Sequence, residues 1–303
     1  MSGHMGWEEA VFVVAEETWK THPGSGQIFY PVTSYGCRYV REFREVRPKT
    51  GKRQRVWRKH VRGMVTGQIV TPFYGWTDRA AFFFDAALSA PAGSDLDSFS
   101  AEFNTAADDD RIHKGCRINQ LTLAGNQGDG VTMTMDIIGA IEVANGSPQS
   151  IPDDQHWDDA ESADLEDCTY VIDGSPVYFE DFSLVVNNQL KPSYQGQREL
   201  QSLRNSTRLV DFSGTLEKSG NTYDVLRRTV GKQEVAAQLV VKALDETGAN
   251  YTTLTIDLGR ANFGDNAESG GIDDIIKEGL SYQVLKPDST DNELEYEFTS
   301  VAV

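Results

Sequence analysis

The sequence predicts a mainly β fold, with some α+β character: two antiparallel sheets packed face to face as a sandwich or barrel, with one or two short helices over the open ends. Three observations carry this. Apolar and polar residues alternate with period two along much of the chain. Only two segments show helical spacing. The regular strand–helix alternation of a parallel sheet is missing.

In chain order, Tyr39 to Val46 and Val56 to Phe73 read as the first strand pair. Thr77 can cap a helix whose apolar face is Ala80, Ala81, Phe84 and Leu88. Cys116 to Leu123 reads as the next strand. Its successor alternates Val131, Met133 and Met135 with Thr132, Thr134 and Asp136, and the link Gly125-Asn126-Gln127-Gly128-Asp129-Gly130 is a hairpin turn. Phe182, Leu184 and Val186 alternate with Ser183, Val185 and Asn187, and Arg208 to Glu217 follows. Thr222 can cap a short second helix carrying Tyr223, Leu226 and Val230. The remaining strands are Glu234 to Leu244, the Leu254, Ile256 and Leu258 alternation, Leu280 to Leu285, and Glu293 to Val301.

A chain of 303 residues with 39% apolar residues can bury a real core. Its charge balance is unusual. Lys and Arg number 28 against 46 Asp and Glu, a net −18 that repels nucleic acid and anionic membrane over most of the surface. No run of ~18 apolar residues spans a bilayer, and Met1 to Trp7 lacks a signal peptide's basic and apolar regions, so a cytoplasmic compartment is expected. Cys37, Cys116 and Cys168 cannot all pair and read as reduced, buried thiols.

Charge is also blocked along the chain. From Arg38 to Arg62 eleven basic residues meet only Glu42 and Glu45, a local +9. From Asp153 to Asp167 eight acids meet no base, a local −8, and this reads as an exposed loop. In Arg47-Pro48-Lys49-Thr50-Gly51-Lys52-Arg53-Gln54-Arg55 the Pro and the Thr-Gly pair suggest the tip of a long arm. Three readings stand for that arm. With Trp57 beside it, it could bind nucleic acid; it could be a solvated loop; or it could dock on an acidic surface of another copy of the chain. The third is favoured because the complementary block lies in the same sequence. The residues expected to meet are Arg53, Arg55, Trp57, Arg58 and Lys59 on one side and Asp158, Asp159, Glu161 and Asp164 on the other.

Catalytic and metal motifs are not found. There is no Gly-x-x-x-x-Gly-Lys, Gly-x-Gly-x-x-Gly, His-Glu-x-x-His or Gly-x-Ser-x-Gly. His113 and Cys116 have ligand-like spacing but no second pair, and read better as part of a strand. Asp108-Asp109-Asp110 and Asp95-x-Asp97 read as solvated turns because the glutamate that closes a calcium loop is missing. The sequons at Asn205 and Asn250 matter only in a secretory pathway. No catalytic residue, metal site or cofactor is expected.

Taken in order, these elements resemble tail tube proteins of long-tailed, siphophage-type bacteriophages over roughly residues 25 to 300. The likeness rests on the Gly-led strand Gly67-Gln68-Ile69-Val70-Thr71-Pro72-Phe73 with the helix from Asp78 to Leu88. It continues in the pair Cys116 to Leu123 and Val131 to Gly139. Phe182 to Asn187 then leads into the Asn187-Asn188-Gln189-Leu190 corner, and Arg208 to Leu216 follows. The resemblance implies a segment 1–24 and a single β-sandwich domain over 25–303, with the basic arm near 47–62 and the acidic loop near 145–167. It implies a non-enzymatic protein of the virion tail, assembled in the host cytoplasm into stacked hexameric rings. The genome would pass through the lumen without specific binding. Partners would be the protein itself, the tape measure, the tail terminator and distal tail or baseplate proteins, and no membrane. Another β-rich virion component, such as a decoration or baseplate protein, is the alternative. A carbohydrate-binding sandwich, suggested by Trp157 and Tyr178, is a further one.

Overall fold

The computed structural model describes residues 10–46, 57–75, 77–89, 95–104, 110–149, 162–217, 236–244, 250–263, 267–269, 277–285 and 294–302. The first strands are β1 Ala10–Ala15, β2 Ile28–Tyr30, β3 Ser34–Tyr35, β4 Arg38–Val46 and β5 Trp57–Pro72, followed by helix α1 Thr77–Leu88. Next come β6 Phe99–Asn104, β7 Arg111–Asn126, β8 Asp129–Gly139 and β9 Ile141–Ala144, then a single 3-10 turn at Leu165–Asp167. The middle of the chain holds β10 Cys168–Ile172, β11 Ser175–Val177, β12 Asp181–Asn187, β13 Lys191–Ser193, β14 Ser202–Arg204 and β15 Leu209–Glu217. The last strands are β16 Ala237–Leu244, β17 Asn250–Asp257, β18 Arg260–Phe263, β19 Ala267–Ser269, β20 Lys277–Leu285 and β21 Glu295–Ala302.

The predicted class holds: the chain is a β-sandwich of antiparallel sheets. The larger sheet has 14 strands, in the order β18-β20-β15-β12-β7-β6-β1-β2, with β8, β5, β4, β3, β9 and β19 branching from that path. Strand β7 can serve two neighbourhoods because it is long. Its first residues pair with β6 and β9, and its later ones with β8 and β12. The smaller sheet runs β11-β10-β16-β17-β21, and β13 and β14 form a separate pair.

The alternating residues read from the sequence point inward. Val131, Met133 and Met135, Phe182, Leu184 and Val186, and Leu254 and Ile256 are all buried in one apolar core shared by the two sheets. A period-two strand buries one face only, and these polar alternates are less buried. The turn β10–β11 is made by Asp173 (φ 49°) and Gly174 (φ 76°). Both central residues lie at positive φ, as a type I′ hairpin turn requires.

Helix α1 lies where expected, with Ala80, Phe84 and Leu88 buried and Ala81 only half-buried. Phe83 and Ala87 are also fully buried, because the helix is covered on two sides. Phe83 packs on Tyr30 and Phe99, while Phe84 packs on Tyr296 and Phe298 of β21. The second helix expected from Thr222 lies outside the described residues. Strand β1, inside the segment 1–24, pairs with both β2 and β6 and buries Val11 and Val13 completely.

The corner after β12 is fixed by a polar network in the core. Asn188 is fully buried and donates from Nδ2 to the carbonyls of Ala87 (3.0 Å) and Ile118 (3.0 Å). Its Oδ1 accepts from Nε of buried Arg208 at 2.9 Å, and Arg208 Nη2 lies 3.4 Å from the Ala87 carbonyl. One asparagine thus ties the C-terminal turn of α1 to β7 and to the residue preceding β15. The Ala87 carbonyl, in the last turn of α1, lacks a helical partner, and the Asn188 amide and the Arg208 guanidinium supply it with donors.

Candidate functional site

The β4–β5 hairpin is the part of the described fold that leaves the body of the protein. Strand β8 pairs with β5 only from Val65 to Pro72, so the ladder partner of β5 from Trp57 to Met64 is β4. At the root, Val65 and Ile69 are fully buried. Further out, Gly63 still bridges Glu199 and His60 lies near β9, while Phe43, Arg44, Arg58 and Lys59 are exposed.

Register determines which charges meet. Glu42 faces Arg62 and Phe43 faces His60, so Val61 is an extra residue in a β-bulge. On one face Arg62 Nε donates to Glu42 Oε2 at 2.6 Å, and its guanidinium lies over Tyr194. On the other, Arg58 lies 3.6 Å from Glu45 and over Phe43, while Phe43 contacts His60. Both acids of the basic segment are therefore engaged with its own arginines. These exposed pairs contribute little to stability. The Arg62 bond holds the Glu42 carboxyl below its ordinary range.

The hairpin is also apolar where a solvated loop would not be. Val40, Phe43 and Val61 are exposed large hydrophobic residues. Val40 and Phe43, three residues apart on β4, face opposite surfaces, so the hairpin carries exposed apolar side chains on both. Sequence reading singled out the arm's charge and missed these three, since nothing local distinguishes an exposed Phe from a buried one.

At the root a polar cluster joins the arm to the sheet. His113 is buried on β7; its Nε2 meets Glu142 Oε2 at 2.9 Å and its Nδ1 meets the Tyr35 hydroxyl. A neutral ring that donates from Nε2 and accepts at Nδ1 satisfies both contacts. Burial lowers the His113 pKa, opposed by the bond to Glu142. Burial pushes the Glu142 carboxyl up, but His113, the Tyr39 amide and Arg111 together hold it below its ordinary range. His113 and Cys116, weighed as ligands from their spacing, do not converge on a metal geometry. The Cys116 thiol instead points at the His113 carbonyl, and burial raises its pKa. Among the described residues no group of three or more His, Cys, Asp or Glu side chains could hold a metal ion.

Of the residues expected to meet across copies, Arg53, Arg55, Asp158, Asp159 and Glu161 lie outside the described residues. Trp57 opens β5, and Arg58 and Lys59 are exposed on it. Asp164 is exposed at the far end of the acidic segment, where the chain is anchored rather than loose. Its backbone caps the 3-10 turn, and Asp164 bridges Gly130. Beside it the fully buried Ala163 exchanges backbone hydrogen bonds with Phe73 and Val131. Tyr178 is 70% exposed, and Trp157 lies outside the described residues.

A family model described as phage tail tube protein matches residues 6–299 of the chain. No curated protein matches it.

Proposed function

The chain belongs to the phage tail tube protein family, structural components of the virion tail, and on that premise we propose that it self-assembles into hexameric rings that stack into a tube for genome delivery. The observation that carries this reading is the projecting β4–β5 hairpin with exposed Val40, Phe43 and Val61. Strand β4 pairs only with β5 among the described residues, so its outer edge offers backbone groups to a neighbour. Closed rings satisfy such edges without leaving a template for aggregation.

In this reading Arg53, Arg55, Trp57, Arg58 and Lys59 of the arm contact a neighbouring subunit, and Asp158, Asp159, Glu161 and Asp164 are the acids they meet. The wall of the lumen is acidic, which suits a net charge of −18 and lets DNA slide without binding. Tape measure, terminator and distal tail proteins contact the ends of the stack.

The test is electron microscopy and sedimentation of the purified chain. Rings or tubes are expected from the wild type. Arg53→Glu, Arg55→Glu and Arg58→Glu together should leave the subunit folded while blocking stacking. Asp158→Lys, Asp159→Lys and Glu161→Lys in the same chain should restore part of it. A wild-type protein that stays monomeric at every concentration contradicts the reading. Tight binding of duplex DNA, lost in the arm variant, would favour the nucleic-acid role instead.

A further inference from the structure

A cleft of about 380 Å³ opens beside the β7–β8 turn, bounded by the 3-10 turn and by β10, β11 and the start of β12. Its volume falls within the ~300–1,000 Å³ of ligand-sized sites. Two properties set it apart. Its inner wall is aromatic and aliphatic, with Tyr170, Val177, Phe179, Phe182 and Leu239, and the exposed Tyr178 stands at the rim. Among the described residues its charged lining is acidic: Asp129, Asp164, Glu166 and Glu180. Aromatic faces beside carboxylates recognise guanidinium and ammonium groups, by stacking and by charge-assisted hydrogen bonds.

The chain carries one dense source of such groups, Arg47 to Arg55, with five cations and no acid. Its own copy cannot bring that segment to the cleft. Strand β5 begins at the arm with Trp57 and ends at Pro72, which pairs with Thr132 just beyond the β7–β8 turn. Those sixteen residues separate arm from cleft by roughly 50 Å at ~3.3 Å per residue. Ten residues link β4 to β5, and no link of that length with both ends paired reaches more than half its contour length, about 17 Å, from those ends.

We infer that this cleft is the receptor for the basic arm of a second copy of the chain. The inference deepens the assembly reading above and rests on its premise that arms make contacts between copies; it moves the landing site from positions 158–161 to this cleft, with Asp164 common to both. Because arm and cleft sit at opposite ends of one strand, the contact is head-to-tail, and each copy offers both halves. Such a heterologous contact propagates wherever its rotation does not close a ring, as stacking requires.

The test uses the full chain and a fluorescent peptide of residues 47–57, with binding read by anisotropy at low salt. Asp129 and Glu166 are exposed, so Asp129→Lys with Glu166→Lys should keep the fold, checked by an unchanged thermal midpoint. Asp129→Asn with Glu166→Gln is the milder variant should the reversal unfold. The wild type should bind the peptide, the reversed cleft about tenfold or more weakly, and added salt should weaken wild-type binding. Glu295→Lys with Glu297→Lys, at the opposite edge of the smaller sheet, should change binding little. A peptide that fails to bind, or binds the cleft variant as tightly as the wild type, overturns the inference. So does binding lost only on reversing Asp158, Asp159 and Glu161. The peptide assay needs no rings, so its failure is distinct from failure of the ring reading, which microscopy of the wild type reports. Where rings form, tubes from the cleft-reversed variant alone overturn the inference.

Discussion

Replacing Asn188 with alanine tests whether the buried polar corner holds the sandwich together. The side chain is fully buried and makes three hydrogen bonds, to the Ala87 carbonyl, the Ile118 carbonyl and Arg208 Nε. Each such bond contributes about 1 kcal/mol net, and a dry polar atom stripped of its partner costs about 1–3 kcal/mol. The Ala87 carbonyl keeps Arg208 Nη2 at 3.4 Å, so the loss falls mainly on the Ile118 carbonyl and on the guanidinium. Together these give about 3–5 kcal/mol for Asn188→Ala. In a chain this long each kcal/mol moves Tm by roughly 2 °C, for a total drop of about 6–10 °C. Thermal unfolding of dilute, unassembled protein is the assay, with circular dichroism as the readout. Asn188→Asp separates charge from shape: the carboxylate still faces Arg208 but cannot donate to two carbonyls, so it too should destabilise. A midpoint for Asn188→Ala within about 2 °C of the wild type would refute the view that this network orders the corner.

The pH response of stability should follow His113. Its folded pKa lies below the ordinary 6.5, so near pH 6 the unfolded chain binds more protons than the folded one. Stability is then complete above about pH 7 and falls on acidification through 6.5. His22, also lowered by burial, acts with the same sign. His113→Gln should flatten the slope between pH 7 and 5.5 in part, and a wild-type midpoint constant over that range contradicts the assignment. Gly67→Ala should prevent folding or lower Tm beyond any other single change proposed, because a Cβ there would sit 2.4 Å from the Cys37 Cα and 2.4 Å from the Gly36 carbonyl oxygen. Soluble expression and a melting curve decide it; near-wild-type stability would mean that the β3–β4 connection yields easily.

Much of this architecture is legible in the residues because alternation is a direct physical record of a half-buried strand. Met133 and Met135, or Leu184 and Val186, need no partner to reveal which way they face. Short strands leave no such record. Lys191–Ser193 and Ser175–Val177 span three residues each, too few to show a period, and each contains a proline. The helix shows half of its face in advance. Phe83 is buried because Tyr30 of β2 and Phe99 of β6 close over the side that local spacing leaves open. The arm is visible as charge, but its internal pairing depends on the bulge at Val61, which sets Glu42 against Arg62. The cleft is invisible in advance. Its carboxylates come from positions 129, 164, 166 and 180, joined only when the backbone of Asp164 bridges Gly130.

Strand β5 runs without a break from the projecting hairpin to the interior of the sheet, and this governs how a pull on the hairpin is borne. Tension applied at Trp57 along the strand axis meets the antiparallel ladder with β8 lengthwise, from Val65 opposite Gly139 to Pro72 opposite Thr132. Loaded in that direction the rungs are sheared together and share the force, whereas a pull across the sheet would peel them one at a time. The bonds at Gly63, where its amide donates to the Arg198 carbonyl, sit at the mouth of the ladder and take the first strain. If copies join through the hairpin as proposed, mechanical failure under axial load belongs at that contact before it reaches the ladder inside a subunit.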